Sequence, residues 1–235
     1  MTAAEIVEEL RPLGAESIRK VLRNHGVPEP ILGVKIADLQ VIRKRIKKDY
    51  HLALDLYDTG IYDARYLAGL IADDPRMTPD DLRRWLAGAN CPALFDYTVP
   101  WVAAESRHGR ELALEWIESA DEGAASAGWA TLSGLVALKP DADLDLPALT
   151  ELLRRVPETI HIRPNRVRYA VNSFVISVGC YVAPLTALAL EIAGEVGVVS
   201  VDMGPTACKV PSAVDYIEKV RRRGTIGKKR KTIKC

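Results

Sequence analysis

Residues 51–72, HLALDLYDTGIYDARYLAGLIA, decide the fold: an amphipathic stretch, a break at Asp58-Thr59-Gly60, then a more apolar stretch. The same unit returns along the chain. Thr78 to Ala87 precedes residues 91–106, Arg110 to Ser119 precedes Ala124 to Leu138, and Pro147 to Arg155 precedes Asn165 to Tyr181. The apolar members start near residues 61, 91, 124 and 165, an interval of about thirty to forty residues, as in repeat proteins. Nothing between 51 and 182 alternates with period two over enough residues to form a sheet. The pattern predicts an all-α solenoid of antiparallel helix pairs, one row exposed and the other lining a concave groove.

Outward from this core, local signals agree. Thr78-Pro79-Asp80-Asp81 sets a cap before a first-turn proline, with acids at the positive end of the helix dipole. Leu82, Trp85 and Leu86 then form a stripe, as do Leu112 and Trp116. Residues 2–24 read as two short helices split at Pro12-Leu13-Gly14, and VPEPILGVK (27–35) as a connector. After it, Leu39, Ile42 and Ile46 face inward from a helix that carries Arg43, Lys44, Arg45, Lys47 and Lys48 on its other faces. Residues 1–218 are expected to form one repeat domain.

Composition excludes several classes. With 48% hydrophobic residues the chain can bury a sizeable core, and no apolar run is long enough to span a membrane. Four cysteines without CxxC spacing and four scattered histidines predict no disulfide framework and no metal site. The start, MTAAEIVEELRPLG, is acidic where a signal peptide is basic, so a cytoplasmic location is expected. Charge is strongly divided: residues 161–235 hold 13 Lys/Arg against 5 Asp/Glu, although the whole chain is only +1. A basic end on an acidic body points to an anionic partner, nucleic acid first.

Within CPALFDYTVPWVAAES (91–106), Asp96 is a carboxylate in a nearly uncharged run. A buried carboxylate needs donors, a cation or a function, so Asp96 is the candidate acid, with a helix cap or a structural acid as the plain alternative. HIRPNRVRYA (161–170) gathers Arg163, Arg166, Arg168 and Tyr169 near a helix N-terminus, where backbone N–H groups favour phosphate. The alternative for these arginines is pairing with Glu151 or Glu158. From Ala170 to Val182 the helix is apolar almost all round, interrupted by Asn172 and Ser173, which could donate hydrogen bonds to Asp96. Lys219 to Lys234 contains nine Lys/Arg and no acid, broken by Gly224 and Gly227. Residues 219–235 are therefore expected to be a flexible basic arm, with Lys228, Lys229, Arg230 and Lys231 on phosphates. Cys208 beside Lys209 is read as part of a turn rather than as a nucleophile.

The helix-pair rhythm, GVKIADLQVIRKRIKK (33–48), DARYLAGLIAD (63–73) and the ending VDMGPTACKVPSAVDYIEKVRRRGTIGKKRKTIKC (201–235) resemble the DNA alkylation repair family of HEAT-like repeat proteins, the AlkD-like DNA glycosylases. The resemblance covers essentially the whole chain. It implies a HEAT-like α-α superhelix that holds duplex DNA and excises N3- or N7-alkylated purines without metal or cofactor. In it an aspartate stabilises the sugar cation, two tryptophans pack against the exposed nucleotide and an arginine contacts DNA. Asp96, before the Val99-Pro100 pair, falls at the aspartate, and Trp129 matches an aromatic that would contact DNA. Pro92 and Ser173 stand where the tryptophans are expected and Leu132 where the arginine is.

Three functions follow for what is expected to be a monomer working on double-stranded DNA, mainly through its phosphate backbone, with no membrane and no small-molecule cofactor. The first is an alkylpurine glycosylase with Asp96 as its electrostatic centre. The second is a non-catalytic binder of DNA structure. The third is a scaffold for another protein.

Overall fold

The computed structural model describes residues 1–235 and contains helices and turns but no strand. The chain divides into two units: residues 1–108 with 203–207 and 234–235, and residues 109–202 with 208–233.

In the first unit, Thr2 starts α1 (Ala3–Leu10) with a capping box to Glu5, and Pro12 ends it in a 3-10 turn before α2 (Glu16–Asn24). Next come α3 (Ile36–Ile46), α4 (Tyr50–Asp58), α5 (Tyr62–Ile71) and α6 (Pro79–Gly88). Asp49 caps α4, and Thr78 with Asp81 forms a second capping box at α6, so orphan N–H groups are met by local side chains. The unit ends in α7 (Val99–Glu105), entered through a π-helical turn, Leu94–Thr98.

Two buried carboxylates hold this unit together. Asp63 on α5 accepts N–H bonds from Leu32 at 2.7 Å, Gly33 at 3.3 Å and Val34 at 2.7 Å, which fastens the proline-rich connector to the repeat. A loop has no ladder of its own, and a carboxylate with several lone-pair sites meets three of its donors at once. Asp74 pairs with Lys48 at 2.9 Å and with Lys234, whose side chain is almost fully buried. Burial pushes the Lys234 ammonium below the usual lysine range against the pull of Asp74. Tyr66 donates its hydroxyl to the Cys235 carbonyl at 3.0 Å.

The second unit contains α8 (Gly109–Trp116), α9 (Glu122–Leu138), α10 (Leu146–Arg154), the short α11 (Val156–Thr159), α12 (Asn165–Tyr181), α13 (Thr186–Val196) and α14 (Ala213–Arg222). Its centre is the pair α9 and α12, which run parallel. Glu122 and Ser126 near the start of α9 bond Arg166 near the start of α12, and one stretch, residues 227–230, bonds both C-terminal ends. Small residues let α8 approach closely: a Cβ on Gly128 would lie 2.6 Å from the Ile117 nitrogen.

Three expected helix pairs form, α4 with α5, α6 with the π turn and α7, and α8 with α9, with boundaries within a few residues, whereas the expected pairing of α10 with α12 does not: α10 packs on α13, and the apolar α12 is covered by α9, α13 and α14. The tail differs from its expectation. Residues 219–222 complete α14, and the segment after it is held: Gly227 N–H donates to the Cys180 carbonyl at 2.9 Å and Arg230 N–H to the Ala137 carbonyl at 2.8 Å. The reason is the supply of unpaired carbonyls at two helix C-termini, where backbone donors and cations are favoured.

Replacing Asp63 by Ala leaves three N–H groups without their acceptor, two of them on buried bonds. A loss of about 3 kcal/mol is expected, read as a lower urea midpoint with unchanged slope, while Asp63→Asn, which keeps one acceptor oxygen, loses less.

Candidate nucleic-acid interface

Asp96 sits inside the π turn because Pro100 follows four residues later. In a regular helix the proline ring would meet the carbonyl of the residue four before it, which is Asp96, and proline has no N–H to offer that oxygen. The helix widens instead: Val99 N–H reaches the Leu94 carbonyl, five residues back, and Thr98 Oγ1 donates to the Ala93 carbonyl at 3.3 Å. Such turns are rare and recur at functional sites. The Asp96 side chain is 7% exposed, with Leu94 and Thr98 buried on either side. Cys91 shares a small core with Val27, Ile31 and Leu94, and burial pushes its thiol up to about 11, which makes it an inert packing residue.

The π turn is pressed against α5. A Cβ on Gly69 would lie 2.6 Å from Thr98 Cγ2, so glycine at 69 sets how closely the two elements pack. The residue after Asp96 points outward: Tyr97 is 41% exposed, and its ring centroid is 6.1 Å from that of Trp101. Sequence reasoning missed Tyr97, although Pro100 at a four-residue spacing was a legible sign of a helix irregularity.

The other predicted residues belong to the second unit. Trp129 is not presented to a ligand: it is 3% exposed and its ring packs on Phe174 at 5.1 Å. Leu132 is likewise buried. Both residues lie on faces of α9 that the helix packing consumes, a choice that linear order does not reveal.

At the start of α12 the Arg166 guanidinium lies 4.9 Å over the Tyr169 ring, and Arg168 donates to Asn165 Oδ1 at 3.2 Å. Arg163, Arg166, Arg168 and Tyr169 are all partly exposed. The N–H expected to meet phosphate is already engaged: Arg166 N–H donates to Glu122 Oε1 at 2.6 Å. Glu151 pairs with Arg154. Asn172 spends its amide on the Pro211 carbonyl at 3.0 Å, where it fixes the approach to α14.

The tail cations lie at the opposite end of α12. Lys229 donates to the Val136 carbonyl and pairs with Asp141, both at 2.8 Å, so it is a structural cation. Lys228, Arg230 and Lys231 are exposed. The structure thus brings Arg163 to Tyr169 together and Lys228 to Lys231 together, but at opposite ends of α12, whose axis between them spans about 22 Å, fifteen helical rises.

The family described as "DNA alkylation repair enzyme" matches residues 6–201. The chain belongs to that family. The uncharacterized proteins Lin0241 of Listeria innocua and Lmo0209 of Listeria monocytogenes are each 34% identical over 95% of this chain and 99% of their own length. A solved structure from "a new family of proteins related to the HEAT-like repeat DNA glycosylases with affinity for branched DNA structures" is 37% identical, covers both chains completely and superposes with a TM-score of 0.92. The fold is therefore the HEAT-like repeat fold of the DNA alkylation repair family.

Gly69→Ala should cost about 1–3 kcal/mol by driving α5 off the π turn, and Thr98→Ser, which removes the opposing methyl, should restore part of it. Thermal melts of the two single variants and the double variant read the coupling. Lys229→Ala should lower stability by about 1 kcal/mol, while Lys228→Ala leaves the melt unchanged.

Proposed function

We propose that this protein binds DNA by shape and phosphate charge, with preference for branched structures, and that it does so without excising a base. The observation that carries the reading is the match, over both complete chains, to a protein with affinity for branched DNA. Electrostatics supports it. Exposed Lys228, Arg230 and Lys231 at one end of α12 and the arginines at the other give backbone contacts that carry no base information. The two clusters sit at opposite ends of α12, about 22 Å apart along its axis. Contacts along one strand, or to two arms meeting at a branch, satisfy that spacing.

The burial of Trp129 and Leu132 supports binding without excision. Two of the positions at which the family resemblance leads one to seek nucleotide contacts are spent on the protein core, and a carboxylate without a positioned nucleotide loses the large contribution of orientation.

Excision of alkylated purines is the second reading, and one observation favours it: the Asp96 carboxylate is held on a π turn, 7% exposed, where a shielded charge could stabilise a sugar cation.

Fluorescence anisotropy with a four-way junction, a three-way junction and a paired duplex of equal length tests the first reading. Tighter binding to the junctions is expected, and equal affinity for all three overturns the preference. Joint replacement of Lys228, Arg230 and Lys231 by Ala should flatten the plot of log affinity against log salt by roughly 2 to 3 units. Incubation of methylated duplex with excess protein should release no 3-methyladenine or 7-methylguanine. Release that vanishes in Asp96→Asn would establish the second reading instead.

A further inference from the structure

The π turn turns one ring outward and supports it from behind. Tyr97 and Trp101 are four residues apart across the junction of the π turn and α7, so their side chains share a face. Trp101, 7% exposed, meets the Tyr66 ring edge-on, with centroids 5.5 Å apart and planes at 87°. Tyr66 in turn lies 6.3 Å from Tyr62, and its hydroxyl is fixed on the Cys235 carbonyl. Four rings from two helices thus form a row whose inner members are packed and whose outer member, Tyr97, is 41% exposed beside the buried Asp96.

Building on the reading of this protein as a branched-DNA binder, we infer that Tyr97 is a stacking platform for an unstacked nucleobase at the branch point. A paired duplex covers both faces of every base with its neighbours, whereas a base beside a branch can offer one π-face. An aromatic side chain uses that face whatever the base, so the contact selects structure and not sequence. A ring with only two rotatable bonds, already backed by Trp101, loses little freedom on binding. The inference rests on the exposure and support of the ring, and it assigns Tyr97 a positioning role with no bond made or broken.

The test uses the full chain as wild type, Tyr97→Phe and Tyr97→Ala. Each is titrated into a three-way junction carrying 2-aminopurine next to the branch and into a paired duplex of equal length carrying the same probe. Tyr97→Ala should lose about 10- to 100-fold in junction affinity, with duplex affinity and the melting temperature unchanged. Tyr97→Phe, which keeps the ring, should stay within about 3-fold of wild type. Wild type and Tyr97→Phe should quench the 2-aminopurine of the junction, and Tyr97→Ala should not. Full junction affinity and full quenching in Tyr97→Ala overturn the platform. If wild type binds junction and duplex alike, the branched-DNA preference falls, and the quenching difference at the junction still decides Tyr97. If wild type binds neither, both readings fall.

Discussion

None of these helices exceeds 17 residues, and most run between 7 and 11. Helices of that length are marginal in water, because nucleation is costly and few backbone bonds follow it. Each one must bury its apolar stripe against the next element. That requirement explains why α9 and α12 are so poor in charge along their middles, with Trp129, Leu132, Leu135, Phe174, Val175 and Val178 all buried. It also explains the small residues at contact points, since a helix row packs only as closely as its bulkiest contact allows.

Charge is handled differently at each place where burial meets it. Asp63 is satisfied by three backbone N–H groups and Asp74 by two lysines, so both carboxylates act as fasteners. Loss of one partner from either would leave an uncompensated group in a poorly solvated place. Asp96 belongs to another category because a helix irregularity determines where it stands. Pro100 cannot continue the regular ladder past the Asp96 carbonyl, and the widened turn buries the carboxylate while turning Tyr97 outward. Carboxylate and ring are thus two results of one backbone feature.

The basic tail shows how the same residue types divide between structure and surface. At the C-terminal ends of α9 and α12 the unpaired carbonyls attract N–H donors and cations. Gly227, Lys229 and Arg230 meet that demand through two backbone N–H groups and one ammonium, and Lys234 is spent on Asp74. What remains at the surface is Lys228, Lys231 and the Arg230 side chain, together with Lys219 and Arg221 to Arg223 on and just after α14. A run that reads as nine equivalent cations along the chain is therefore a smaller set of available ones in the folded protein.

The sequence by itself determined the helical class, the pairing of helices as far as α9 and most of their limits, since caps such as Thr78 with Asp81, breaks such as Pro12 and apolar spacing act within a few residues. It also pointed to Asp96 and, through Pro100, contained the cause of the turn that holds it. Only the tertiary structure decided that Trp129 faces Phe174, that Glu122 takes the Arg166 N–H, that Lys229 caps a helix and that the Tyr97 ring is exposed. Such outcomes depend on which faces meet and which orphan groups come within reach, and those are properties of packing between segments distant along the chain.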